Sequence, residues 1–211
     1  MTTSPSAFIL LRRRFADERH LRFALGLHPL HAAALPESEW ALFARYLTET
    51  RYIGEVGLDF SSQGMSSRTG QERALRRVLQ AVAGSNKVLS IHSRRAEVSV
   101  LDLLHEFKAR SAVFHWYSGP LGVLGRILEA GHYCSVNPAM IRSVHGQKVI
   151  ERLPKTRVLI ETDGPYVKIG GRPATPKDVE LVYQYLSERW GQSIPQVVEQ
   201  VYANFLTLLA Q

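Results

Sequence analysis

Glu55 stands in the middle of YIGEVGLDF, residues 52–60, among apolar residues and glycines, and Asp59 follows four positions later. A carboxylate inside an apolar strand is costly unless it is paired, hydrogen-bonded or bound to a cation. Other polar groups stand near the ends of other apolar segments: His28, His92, His115, Asn137 and Asp163. Two histidines, a glutamate and an aspartate are the ligand types of a divalent ion such as Zn, Mn or Mg. A carboxylate shared between two ions would let such a centre activate water and hold a phosphate.

The elements that must position these groups are legible as apolar runs. Six segments read as strands: FALGLH (23–28), YIGEVGLD (52–59), VLSIHS (88–93), AVFHWYS (112–118), HYCSVN (132–137) and RVLIETD (157–163). They are nearly continuous rather than alternating, the pattern of strands buried on both faces of a parallel sheet. Helical periodicity lies between them. Leu75, Val78, Leu79 and Val82 recur at helical spacing, with Gly84 as a stop. Val100, Leu101, Leu104 and Phe107 form a second such face, and Leu121, Leu124 and Leu128 a third, with Gly131 as its cap. Two more helices are expected at roughly 176–190 and 194–209. Alternating strands and helices predict an α/β fold with parallel strands and right-handed crossovers. In a parallel barrel the polar groups would gather at the C-terminal strand ends, where loops build the site. No linker divides the chain, which reads as one domain, and GPYVKIGGRPATP (164–176) reads as a rim loop.

Each polar residue also has a plain structural explanation. Glu55 could pair with an arginine. His92 could bond a loop carbonyl, and His115, next to Trp116, could be a packed core histidine. Asp163 before Gly-Pro could be turn chemistry. His28 before Pro29 suits loop structure better than metal ligation. Arg94 and Arg95 could be surface charge. Taken singly these readings suffice. Jointly they are harder to hold, because the spacing puts the groups on one face of one expected fold.

Bulk properties narrow the classes. The chain has 211 residues, 45% hydrophobic and 21% charged, which suits a folded globular protein with a sizeable core. No run of 18 apolar residues occurs, so no transmembrane helix and no membrane partner are expected. Near the N-terminus the arginines follow the short apolar run Phe8–Leu11, the wrong order for a secretory signal. Cys134 is the only cysteine, which excludes an intramolecular disulfide and fits a cytoplasmic location. The net charge of +7 favours a polyanionic partner such as nucleic acid.

GLHP, YIGEVGLD, SIHSR, FHWYSG and LIETDGPY occur in that order and, with Asn204-Phe205-Leu206 near the end, resemble the TatD family of metal-dependent hydrolases. HWYSG, SVNPAM and VLSIHSR look closest to the TatD-like component of Qat anti-phage defence systems. The resemblance implies a TIM-like (β/α) barrel and a DNA phosphodiesterase with one or two divalent ions. It implies that Glu55 bridges two metals, that His92 and His115 hold the second, and that Asp163 holds the first and orients or deprotonates the attacking water. Arg94 would meet the substrate phosphate, for which its planar fork is suited. His28 and Tyr117 would also line the substrate site. DNA is the implied partner, with other proteins of a defence system as further ones. Trp116 departs from the small residue or cysteine usual after the histidine of that motif.

The larger departure is at the N-terminus. The family opens with a strand ending in His-x-His, and no His-x-His occurs here. Six expected strands, where the barrel takes eight, predict a barrel incomplete at its N-terminal end, with exposed edges. Three readings stay open: a longer native chain, a one-metal enzyme, or a catalytically impaired subunit that binds nucleic acid or protein. A metal-dependent amide hydrolase or deaminase on the same fold is a further rival, because fold does not fix function.

Overall fold

A computed structural model describes residues 1–110 and 112–211. The chain divides into two compact units, Met1–Ala112 and Val113–Gln211.

The first unit contains α1 (Pro5–Arg14), α2 (Pro29–Ala32), α3 (Glu37–Tyr46), β1 (Tyr52–Gly57), α4 (Arg68–Val82), β2 (Val88–His92) and α5 (Glu97–Glu106). β1 and β2 pair in parallel, from Tyr52 opposite Val88 to Gly57 opposite His92, with a register shift between Ile53 and Val56. α4 makes the crossover. Its Leu75, Val78, Leu79 and Val82 are buried, as their spacing predicts, each contributing roughly 1.5–3 kcal/mol, and Ala74 is buried beside them.

Residues 23–28 are not a sixth full strand. They form a single parallel bridge, Leu25 to Ile53. The N-terminal residues explain this. Thr2 donates its N–H to the Gly54 carbonyl, Glu55 donates to the Thr2 carbonyl at 3.0 Å, and His28 donates to the Thr3 carbonyl at 3.0 Å. The Thr2 hydroxyl also accepts from Gly26 N–H at 3.0 Å. These bonds take up backbone groups that a continuous ladder would need.

The second unit holds β3 (Ala112–Phe114, beginning at the unit boundary), α6 (Leu121–Glu129), β4 (Tyr133–Val136), α7 (Val144–Arg152), β5 (Val158–Ile160), α8 (Val179–Trp190) and α9 (Ile194–Ala210). β3, β4 and β5 are parallel, with Phe114 opposite Cys134 and Ser135 opposite Leu159. Leu124, Ile127, Tyr133, Val136, Val182 and Val197 are core residues. Asn204 fastens α9 to β5, donating its amide to the Lys155 and Val158 carbonyls at 2.7 Å each. The expected rim loop carries a small antiparallel pair, β6 (Lys168–Ile169) and β7 (Arg172–Pro173). The Arg172 guanidinium grips both Asp178 oxygens at 2.8 and 2.7 Å beside it.

Five parallel strands are thus present among the described residues, against the eight of a closed barrel. No helix among them is long and apolar enough to cross a membrane.

Candidate metal centre

In the first unit, β1 and β2 deliver Glu55 and His92 to one place. Glu55 Oε1 lies 2.5 Å from His92 Nδ1 and 3.8 Å from His28 Nε2. The His28 and His92 rings meet edge to face at 5.0 Å between centroids. One donor atom from each of His28, Glu55 and His92 lies within 4.8 Å of the others. Two imidazoles and a carboxylate form a donor set of the kind that suits a divalent ion. The buried Glu55 carboxylate meets His92 across the strand pair and His28 from the segment before α2.

His92 is held on its other side. Its Nε2 lies 2.9 Å from Asp59 Oδ2. Asp59 is 1% exposed. Its Oδ1 accepts the Ser61 N–H at 2.8 Å, and Gln71 brackets its backbone, accepting from Asp59 N–H at 2.7 Å and donating to its carbonyl at 3.0 Å. Burial alone would raise the Asp59 pKa, but the bonds from His92 and Ser61 outweigh it and keep the carboxyl well below the usual range. Burial likewise opposes charge on His92, yet hydrogen bonds to Asp59 and Glu55 raise its pKa. Burial dominates at His28 and lowers its pKa, favouring the neutral ring.

His28 has a second engagement. Its Nδ1 accepts the Leu30 N–H at 3.4 Å, capping α2. A neutral imidazole that accepts at Nδ1 carries its proton on Nε2, the atom facing Glu55. The ring can therefore ligate a cation through Nε2 only by changing tautomer and giving up the cap. The loop-structure reading and the site reading both describe this residue.

In the second unit, His115 is 6% exposed and stands between two carboxylates. Its Nδ1 meets Glu161 Oε2 in a short contact, and its Nε2 lies 3.4 Å from Asp163 Oδ1. Glu161 also accepts from Ser135 Oγ at 2.8 Å, Trp116 N–H at 3.0 Å and Asn137 Nδ2 at 3.2 Å. Asn137 caps the turn after β4, its Oδ1 accepting from Ala139 N–H at 3.0 Å and Met140 N–H at 3.1 Å. Trp116 and Asp163 both have left-handed backbones, φ 39° and 48°. Strained geometry of this kind, costing about 1–3 kcal/mol per residue, collects at functional sites.

Arg94 is exposed, just past β2, where its carbonyl accepts from Phe60 N–H at 2.9 Å. Tyr117 lies just past β3. It is 1% exposed and its hydroxyl donates to the Pro120 carbonyl at 2.7 Å. Asp59 and Glu161 were not among the residues singled out as ligands or catalysts. The signal available in sequence was a second carboxylate near each candidate ligand, four residues after Glu55 and two before Asp163.

The chain is 29% identical over 209 residues to human deoxyribonuclease TATDN3, covering 91% of this chain and 76% of that protein. It is 27% identical over 198 residues to an uncharacterized metal-dependent hydrolase of Methanocaldococcus jannaschii, covering 92% and 76%. Among solved structures, YjjV, a TatD homolog from Escherichia coli K12, superposes with a TM-score of 0.86 at 24% identity over 98% of this chain and 83% of that one. A TatD family hydrolase from Entamoeba histolytica superposes at 0.83 and 18% identity over 97% and 80%. These two structures share the α/β fold. The profile of the family described as TatD related DNase matches residues 2–210, so this chain belongs to that family.

Proposed function

We propose that this protein is a metal-dependent hydrolase that cleaves DNA phosphodiester bonds. The observation that carries the reading is the meeting of Glu55 Oε1 and His92 Nδ1 at 2.5 Å, with the His28 ring beside them. Within the first unit Glu55 and His92 serve as metal ligands, and within the second unit His115 and Asp163 do. A bound divalent ion, Mg, Mn or Zn, supplies Lewis acidity, lowering the pKa of water and offsetting phosphate charge.

The chain's own groups do the rest. Arg94 offers a planar, permanently charged fork to a phosphate oxygen from an exposed position beside β2. His28, neutral and with its proton on Nε2, donates a hydrogen bond to the substrate. Asp163 accepts the proton from the attacking water, and its fixed left-handed backbone aims the carboxylate. The excess of basic residues, net +7, favours approach of a polyanion. The names of the relatives, deoxyribonuclease and metal-dependent hydrolase, support the same substrate and cofactor. The likeness of HWYSG, SVNPAM and VLSIHSR to the Qat component supports a role against phage DNA, with other proteins of such a system as partners.

The test is direct. With Mn²⁺ or Mg²⁺ the purified protein hydrolyses single- or double-stranded DNA, and Glu55→Ala and His92→Ala each abolish hydrolysis while circular dichroism stays native. No hydrolysis of either DNA form with either ion overturns the reading. DNA binding without hydrolysis, unchanged in Glu55→Ala, would identify a binding subunit instead. Activity surviving in both variants assigns the hydrolysis to another site.

A further inference from the structure

His92 and His115 are each held by a carboxylate, the buried Asp59 and the half-buried Glu161, but through opposite nitrogens. Asp59 takes Nε2 of His92, leaving Nδ1 toward Glu55. Glu161 takes Nδ1 of His115, leaving Nε2 toward Asp163. We propose that Asp59 and Glu161 are paired positioning residues that fix the two histidines in opposite tautomers. His92 then keeps its proton on Nε2 and presents the Nδ1 lone pair, while His115 keeps its proton on Nδ1 and presents the Nε2 lone pair. The proposal rests on the reading that His92 and His115 are metal ligands.

Neither carboxylate is free to ligate. Glu161 receives four donors, two on each oxygen: the His115 ring and Ser135 hydroxyl on Oε2, the Trp116 N–H and Asn137 amide on Oε1. That fills the roughly four acceptor sites a carboxylate has. It also grips His115 twice, through its ring and through the amide of the next residue. Asp59 is buried, and its other oxygen is occupied by the Ser61 N–H. Glu55 differs, because its Oε1 faces a second imidazole, that of His28, as well as His92. To hold a cation, His92 would give up any proton on Nδ1, while Asp59 would keep the other on Nε2. A ring locked this way is both correctly aimed and more basic toward a cation.

The sequence order makes the arrangement economical. The end of β1 supplies the ligand carboxylate first and the positioning one four residues later. Past the end of β5, the positioning carboxylate comes first and the ligand two residues later. Each histidine thus has both of its carboxylate neighbours on one segment.

Zn²⁺ is the probe. Long-range ¹H–¹⁵N spectra of the Zn²⁺-loaded protein, assigned with His92→Gln and His115→Gln, should show His92 protonated on Nε2 and His115 protonated on Nδ1. The same tautomer at both rings, or the reverse pair, overturns the proposal, and this measurement needs no variant at Asp59 or Glu161. Asp59→Asn and Glu161→Gln should each weaken Zn²⁺ binding about 10- to 100-fold by calorimetry. If His92→Ala and His115→Ala bind Zn²⁺ like the native protein, the ligand reading fails and the proposal falls with it. If those two lose affinity while Asp59→Asn and Glu161→Gln bind natively, the positioning role alone is refuted.

Discussion

Glu55 Oε1 and His92 Nδ1 lie 2.5 Å apart across two neighbouring parallel strands whose register sets Gly57 opposite His92. The contact is a product of backbone pairing, so whatever shifts β1 against β2 shifts the centre. Glu55 is further tied by its backbone, its N–H to the Thr2 carbonyl at 3.0 Å and its carbonyl to Leu27 N–H at 3.0 Å.

Gly57 is where that register is most exposed to change. Its φ is +145°, and a Cβ there would lie 1.9 Å from the His92 carbonyl oxygen. Gly57→Ala should destabilise the fold by at least about 2 kcal/mol. It should also lower the hydrolysis rate of the folded fraction, because the strands must part where Glu55 meets His92. Urea unfolding with a parallel activity measurement checks both, and a native midpoint would refute the steric argument.

His28 separates two roles by its protonated nitrogen. As a hydrogen-bond donor to substrate, His28→Ala should leave Mn²⁺ affinity within about threefold of native and lower kcat/KM about 10- to 100-fold, the loss of one hydrogen bond to a charged group. A fall in Mn²⁺ affinity as large as that of His92→Ala would instead make it the third ligand. Calorimetry beside steady-state kinetics decides.

His132 sets an acid limit on stability. Burial, with the Arg157 guanidinium nearby, pushes its imidazole down to about 4, from 6.5 when unfolded. Between those values the unfolded chain binds the proton that the folded one refuses, so stability falls as pH drops from about 6.5 to 4. The contribution is at most about 3 kcal/mol. His132→Leu should flatten the decline of ΔG between pH 7 and pH 4, as measured by urea unfolding at each pH. An unchanged slope would place the acid sensitivity elsewhere.

Local pattern carried most of the fold. The buried face of α4, the turn glycines Gly84 and Gly131 (φ +70° and +85°) and the apolar runs at 52–57, 88–92 and 158–160 follow from period and turn chemistry that act over a few residues. Glu55, His92, His115 and Asp163 stood out because charge inside or beside an apolar strand demands a partner. Helices α1 and α7 were not anticipated, although Ser4 with Pro5 and Ser143 carry their capping signals.

Other features were decided by contacts between residues far apart in sequence. Residues 23–28 yield their ladder to Thr2, more than 20 positions earlier. Tyr117 turns inward because a core position and the Pro120 carbonyl are available to it. Which nitrogen of His92 faces Glu55, and which of His115 faces Asp163, depends on Asp59 and Glu161 arriving from other segments. The sequence by itself determined the kinds of groups and the strands that carry them, because side-chain chemistry and periodicity are local. Only the tertiary structure decided their partners and burial, because a contact is made where two distant segments meet.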